Sequence, residues 1–170
     1  MSRPSSTNWV LKIENWVINK NMNEIIYKPI GIIYSPFKEP FGVPPQPKFG
    51  KGIKGKVEIF SEYCLGLKDI EGFSHIILIY HFHLSRGYSL LTKPHWDDIK
   101  HGLFTTRSPR RPNPIGISVV RLLGVKDCIL DIEDVDIVNK TPLLDIKPYV
   151  PEFNKEEVIK LGWLEGKIKS

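Results

Sequence analysis

Three arginines, Arg107, Arg110 and Arg111, fall within five positions of one another in the stretch FTTRSPRRPNPIGIS, residues 104–118. A guanidinium is a planar donor that grips carboxylate or phosphate through paired hydrogen bonds. Pro109, Pro112 and Pro114 fix the backbone around them and push the preceding residues extended, so this stretch is a stiff loop and not a helix interior. Clustered guanidiniums on a rigid loop suit an anionic ligand, phosphate first. An arbitrary arginine pair is more often a solvated basic loop. Here the proline stiffening and the position between two apolar runs favour a site.

A second group is His75, His81 and His83, which share parity and would lie on one face of a continuous strand. At ~3.3 Å per residue, His75 and His81 stand ~20 Å apart, too far to share an ion. His81 and His83, ~6.6 Å apart along the strand, bring two nitrogens and no evident further ligand. No metal is expected. A hydrogen-bonded histidine at a pocket edge and a packed sheet histidine remain the two readings.

Negative charge concentrates at Glu133, Asp134 and Asp136, which suits a cationic or amine-bearing ligand or, more plainly, a solvated face on a hairpin. In TPLLDIKPYVP (residues 141–151), Asp145 and Lys147 have the same parity and Tyr149 follows a proline that ends the strand. By itself this pattern reads as an edge strand with an internal ion pair. Beside the arginine loop it also suits one wall of a pocket.

These residues need a frame, and the frame reads as β. Short runs rich in Ile, Val, Tyr and Phe, bounded by Gly and Pro, predict strands over 28–34, 53–60, 74–83, 115–124, 128–137 and 142–147. Two long connections, Ser35–Gly52 and Leu84–His101, are of a length more often functional than idle. The stretch 66–72 suggests a turn with a short helix. Residues 1–24 form an N-terminal extension in which Trp9, Ile13, Trp16 and Val17 fall at helical spacing. Residues 25–152 form the body. In the tail, 153–170, Asn154 and Glu157 have capping-box spacing before a helix of about two turns that stops near Gly162. The expected architecture is mainly β: a small antiparallel β-barrel or sheet with short helical additions.

Composition narrows the class further. The chain has 170 residues, 41% hydrophobic and 25% charged, which suits one domain with a proper core and argues against disorder. A net charge of +5 is mildly consistent with a polyanionic partner. Cys64 and Cys128 make neither a disulfide framework nor a zinc set, and are expected to be reduced, part-buried residues of a cytosolic protein. No run has the length of a membrane span, and Lys12 and Glu14 interrupt any apolar leader, so a cytoplasmic protein is expected. There is no G-x-G-x-x-G, Walker loop, H-E-x-x-H or G-x-S-x-G, so a Rossmann site is not supported.

Four segments, IGIIYSPFKEPFGVPPQP (30–47), GLKDIEGFSHIILIYHFH (66–83), GLFTTRSPRRPNPIGISVVRL (102–122) and TPLLDIKPYVP (141–151), resemble the TsaA/TrmO-like family. The resemblance is colinear over roughly residues 27–152. It implies a non-Rossmann β-barrel methyltransferase that uses S-adenosylmethionine and methylates N6 of adenosine 37 in tRNA, on a base already carrying threonylcarbamoyl. It also implies a homodimer with the cofactor near the subunit interface. Cofactor contacts carried over from the family fall on Pro47, Lys48 and Phe49, on His83 and Leu84, on Arg107 and Ile117, and on Glu133, Asp134, Val135 and Asp136. Arg110 and Arg111, with Lys48, Lys51 and Lys54, are expected to form the tRNA footprint. Removing the N6 proton needs a base, for which His83, Asp145 and Tyr149 are candidates.

Two departures from the family pattern stand out. Pro45 occupies a position where bacterial members commonly have arginine, and Asn139-Lys140 replaces an Asp-Gly turn. The alternatives are therefore a protein that binds the cofactor without methylating RNA, or a methyltransferase with another RNA or a small-molecule substrate.

Overall fold

The computed structural model describes residues 24–94, 96–151 and 160–167. The N-terminal helical turns and the tail helix begun by Asn154 lie outside the described residues. Six strands close into a barrel: β1 (Gly31–Tyr34), β2 (Lys54–Ile59), β3 (His75–His81), β6 (Ile115–Lys126), β7 (Ile129–Glu133) and β8 (Thr141–Pro148). Their order is β1-β2-β7-β6-β3-β8, returning to β1, with every pair antiparallel. A two-stranded ribbon, β4 (Leu91–Thr92) with β5 (His101–Gly102), sits within the long connection from β3 to β6.

All six predicted strands are present, and their alternation explains the closure. In β3, Ile76, Leu78 and Tyr80 are buried while the residues between them are less so. Val57 and Ile59, Val120, Leu130 and Ile132, Ile33 and Leu143 complete the same core. Side chains fill the interior of so small a barrel, so any ligand must sit at a mouth.

Antiparallel pairing sends the ends of β1, β3 and β7 and the starts of β2, β6 and β8 to the same mouth. Three connections therefore cluster there: 35–53, 82–114 and 134–140. The opposite mouth carries residues 60–74 and the β6–β7 turn. There the chain forms two 3-10 segments, Ser61–Leu67 and Ile70–Gly72, where a turn with a short helix was predicted over 66–72.

Three expectations need correction. Cys64 and Cys128 are joined by a disulfide, with Cα atoms 5.2 Å apart. The cause is the β2–β7 pairing: Ile59 N donates to Cys128 O at 2.8 Å, so the segment leaving β2 runs directly past the β6–β7 turn. β8 is not an edge strand, because it pairs with β1 on one side and β3 on the other. The strand predicted over 128–137 ends at Glu133, because Asp134 turns left-handed (φ 67°). Val135 and Asp136 consequently lie in a loop across the mouth.

Candidate functional site

The loop 134–140 is fixed from both sides. Asp134 Oδ1 accepts from Gly52 N at 2.8 Å. Ser35 Oγ donates to Ile137 O at 2.5 Å, Ser35 N donates to Asn139 Oδ1 at 3.1 Å, and Asn139 N donates to Phe37 O at 2.7 Å. These bonds stitch the proline-rich connection to the acidic loop. The arginine loop joins them through Arg107 Nη1, which donates to Gln46 Oε1 at 2.5 Å, and through Ser85 Oγ, which donates to Pro109 O at 2.9 Å.

A cleft of about 450 Å³ opens between the three connections. Its volume suits a ligand the size of a nucleoside joined to an amino acid. His83, Leu84, Arg107, Arg110, Ile117 and Asp136 line it, with apolar walls from Phe82, Pro44 and Val138. Beneath them a hydrogen-bonded chain reaches into the barrel. Ser118 Oγ donates to Asp136 Oδ1 at 2.6 Å, so the hydroxyl of Tyr80, 3.0 Å away, donates to Ser118. Tyr80 reaches this position because its register partner on β6 is Gly116, where a Cβ would collide with the Tyr80 and Phe82 rings.

Electrostatics mark out three groups in the cleft. Burial pushes the Asp136 carboxyl up to about 6, although the Ser118 hydrogen bond and the Arg107 charge pull the other way. Among the described residues Asp136 has no ion-pair partner. Burial, then the charges of His81 and Arg86, lower His83, and burial raises the Tyr80 phenol. A part-buried carboxylate without a cation, facing an arginine across an apolar-walled cleft, fits a ligand with an ammonium group, a carboxylate and a flat base.

Other sequence candidates fall elsewhere. Pro47, Lys48 and Phe49 form a 3-10 turn that follows the cleft-lining Gln46 and does not itself line the cleft, with the Phe49 ring 6.2 Å from Trp96. Glu133 is ion-paired to Arg121 at 2.8 Å, and Val135 is buried in the core. Asp145 pairs with Lys147 at 2.8 Å, as its parity suggested. Tyr149 lies beside His75, its N donating to His75 O at 3.3 Å, at the opposite mouth from His83. Arg111 holds the arginine loop together: its Nη1 donates to Thr106 O at 2.9 Å, and the guanidinium lies over the Phe104 ring. Arg110, Lys51 and Lys54 are exposed around the same mouth.

Sequence reasoning missed Tyr80, Ser118, Thr141, Gln46 and Arg86, all of which line or brace the cleft. The parity that places Tyr80 with Ile76 and Leu78 was the available signal for a polar atom inside the barrel. Gln46 and Arg86 carried no such signal.

Residues 32–155 match the family model of the tRNA-methyltransferase O N-terminal domain. The chain belongs to this family. A probable S-adenosyl-L-methionine-binding protein of Pyrococcus abyssi is 61% identical over 144 residues, covering 85% of this chain and 78% of that protein. The tRNA (adenine(37)-N6)-methyltransferase of Escherichia coli is 38% identical over 140 residues, covering 76% of this chain and 60% of that enzyme. The crystal structure of TrmO from Pseudomonas aeruginosa superposes with a TM-score of 0.72 at 33% identity. That match covers 88% of this chain and 66% of the TrmO chain, so this protein spans about two thirds of the length of that solved member.

Proposed function

We propose that this protein uses S-adenosylmethionine to methylate N6 of adenosine 37 in tRNA, on a base already carrying threonylcarbamoyl. The observation that carries the reading is the part-buried, unpaired carboxylate of Asp136 facing Arg107 in a cleft of matching size. When bound, the cofactor supplies an electrophilic methyl group on a sulfonium sulfur. Asp136 takes its ammonium or ribose hydroxyls, Arg107 takes its carboxylate, and Phe82, Leu84 and Val138 enclose its adenine. Glu133, Asp134, Val135, Pro47, Lys48 and Phe49 support this site by shaping the two loops that carry it.

The arginine loop gives the reading its substrate. A threonylcarbamoyl base bears a carboxylate and tRNA a phosphate backbone, and the guanidinium of Arg110, which lines the cleft, supports a reading in which it meets one of these anions. Lys51 and Lys54 extend positive charge along the same mouth toward a phosphate backbone. A homodimer is part of the same reading. Ile115 and Ile117, 42% and 54% exposed on β6, offer apolar surface for a second copy, and because Ile117 also lines the cleft that copy would border the cofactor.

Pro45 favours a second reading, cofactor binding without RNA methylation, because it lines the cleft where arginine is common in bacterial relatives. Incubating the protein with labelled S-adenosylmethionine and tRNA from cells lacking this activity, followed by nucleoside mass spectrometry, separates the two. Methylated threonylcarbamoyl-adenosine, with a yield that falls as salt rises, supports the methyltransferase. Cofactor binding with no methylated nucleoside supports the second reading.

A further inference from the structure

We propose that His83 Nε2 is the base that takes the proton from the target nitrogen, and that Thr141 is the positioning residue that fixes the imidazole in the tautomer this requires. The inference rests on the methyltransferase reading and adds the identity of the base to it. It follows from hydrogen-bond accounting. Thr141 is buried, and its Oγ1 lies 2.7 Å from Val138 O and 3.2 Å from His83 Nδ1. A carbonyl oxygen only accepts, so the single hydroxyl hydrogen of Thr141 goes to Val138. Toward His83 the hydroxyl can then only accept, which requires the proton to sit on Nδ1.

The other ring nitrogen therefore carries a lone pair. Among the described residues no hydrogen-bond partner faces Nε2, and no buried side-chain nitrogen or oxygen lacks a partner. An unpartnered Nε2 is thus solvent-accessible, on a residue that lines the cleft. The charged and titratable groups around it are His81 and Arg86 on its own segment, Arg107 and Arg110 from the arginine loop, and Asp136 from the acidic loop. Burial, then the charges of His81 and Arg86, disfavour the imidazolium, which favours a ring able to accept. Of the three candidate bases, His83 alone lines the cleft. Asp145 is paired with Lys147, and Tyr149 stands at the other mouth.

The step balances with these groups. The nitrogen lone pair forms the new bond to the methyl carbon, and the carbon–sulfur pair stays on sulfur. The N–H bonding pair remains on nitrogen while the proton moves to Nε2. The resulting imidazolium keeps its Nδ1–H bond to Thr141 and, beside Arg86 and His81, readily gives its new proton to solvent.

The test combines single-turnover methylation of threonylcarbamoylated tRNA, at saturating S-adenosylmethionine across pH 5–9, with long-range proton–nitrogen NMR of the histidines. Wild-type protein is expected to show the Nδ1–H tautomer at His83. Its rate should rise along one ionisation limb lying below the ordinary histidine range and then level off. His83→Gln should be slower by about 100-fold or more and lose that limb. Thr141→Val should mix the two tautomers and slow the rate by about tenfold, with wild-type circular dichroism confirming the fold. A proton on Nε2 in wild-type protein that methylates, or a His83→Gln variant that keeps both rate and limb, overturns the base alone. A wild-type protein that methylates no tRNA removes the functional reading and the base with it.

Discussion

The two mouths of the barrel are built from the same six strands and differ in almost everything else. At one, a covalent bond joins Cys64 to Cys128, and the neighbouring 3-10 segments close over the strand ends. At the other, three connections are held by side-chain hydrogen bonds around a part-buried carboxylate that has no ion-pair partner among the described residues. The first arrangement adds stability. The second gives some up, because ionising a part-buried carboxylate with no ion-pair partner costs free energy that protonation or a bound cation restores. The difference is one of division: stability is concentrated at one mouth and the binding groups at the other.

Breaking the closed mouth should have the largest effect. A disulfide that spans 64 residues stabilises by about 4 kcal/mol in the chain-entropy model. A Cys64→Ser/Cys128→Ser protein should lose stability of that order in denaturant titration and keep its cofactor affinity, since neither residue lines the cleft. Equal losses in both would mean the mouths are not independent.

Next comes Gly116→Ala, which places a methyl group against Tyr80 and Phe82. Overpacking of this kind costs about 1–3 kcal/mol. Tyr80 should leave Ser118, and cofactor affinity should fall with it. Unchanged ultraviolet difference spectra for the tyrosine would show that the ring had stayed in place. The smallest effect is expected at Lys140, held at φ 61° in the left-handed region that glycine adopts freely. Lys140→Gly should raise the melting temperature slightly, through relief of up to about 1 kcal/mol of backbone strain. A lower melting temperature would show that the lysine side chain contributes more than its backbone costs.

The barrel was legible because alternation with period two survives in strands such as β3 and β7, in Ile76-Leu78-Tyr80 and Leu130-Ile132, although a register shift opposite Ile79 and Tyr80 interrupts it in β8. Arg107, Asp136 and His83 stood out by type, and the family resemblance placed them together. The Cys64–Cys128 bond did not stand out, because strand order decides which turn lies beside which segment, and local pattern does not carry strand order. For the same reason β8 read as an edge. The chain from Tyr80 through Ser118 to Asp136 was hidden because its polar atoms sit at inward positions among apolar residues, where parity places the side chain but not its partner.

Asp136 tests the contrast most directly. Its folded value is raised from 3.8 to about 6, so the protonated carboxyl favours the fold at low pH. That contribution is complete below about pH 4 and is lost as pH rises through 6. An Asp136→Asn protein should therefore be more stable than wild type at pH 7, by on the order of 1–3 kcal/mol, and the gain should vanish by pH 4. Calorimetric titration of S-adenosylmethionine into both proteins at pH 7, alongside their unfolding curves, is the decisive measurement. The account predicts a more stable variant that binds the cofactor at least about tenfold more weakly, a loss of about 1.4 kcal/mol. A variant that binds as tightly as wild type would contradict it.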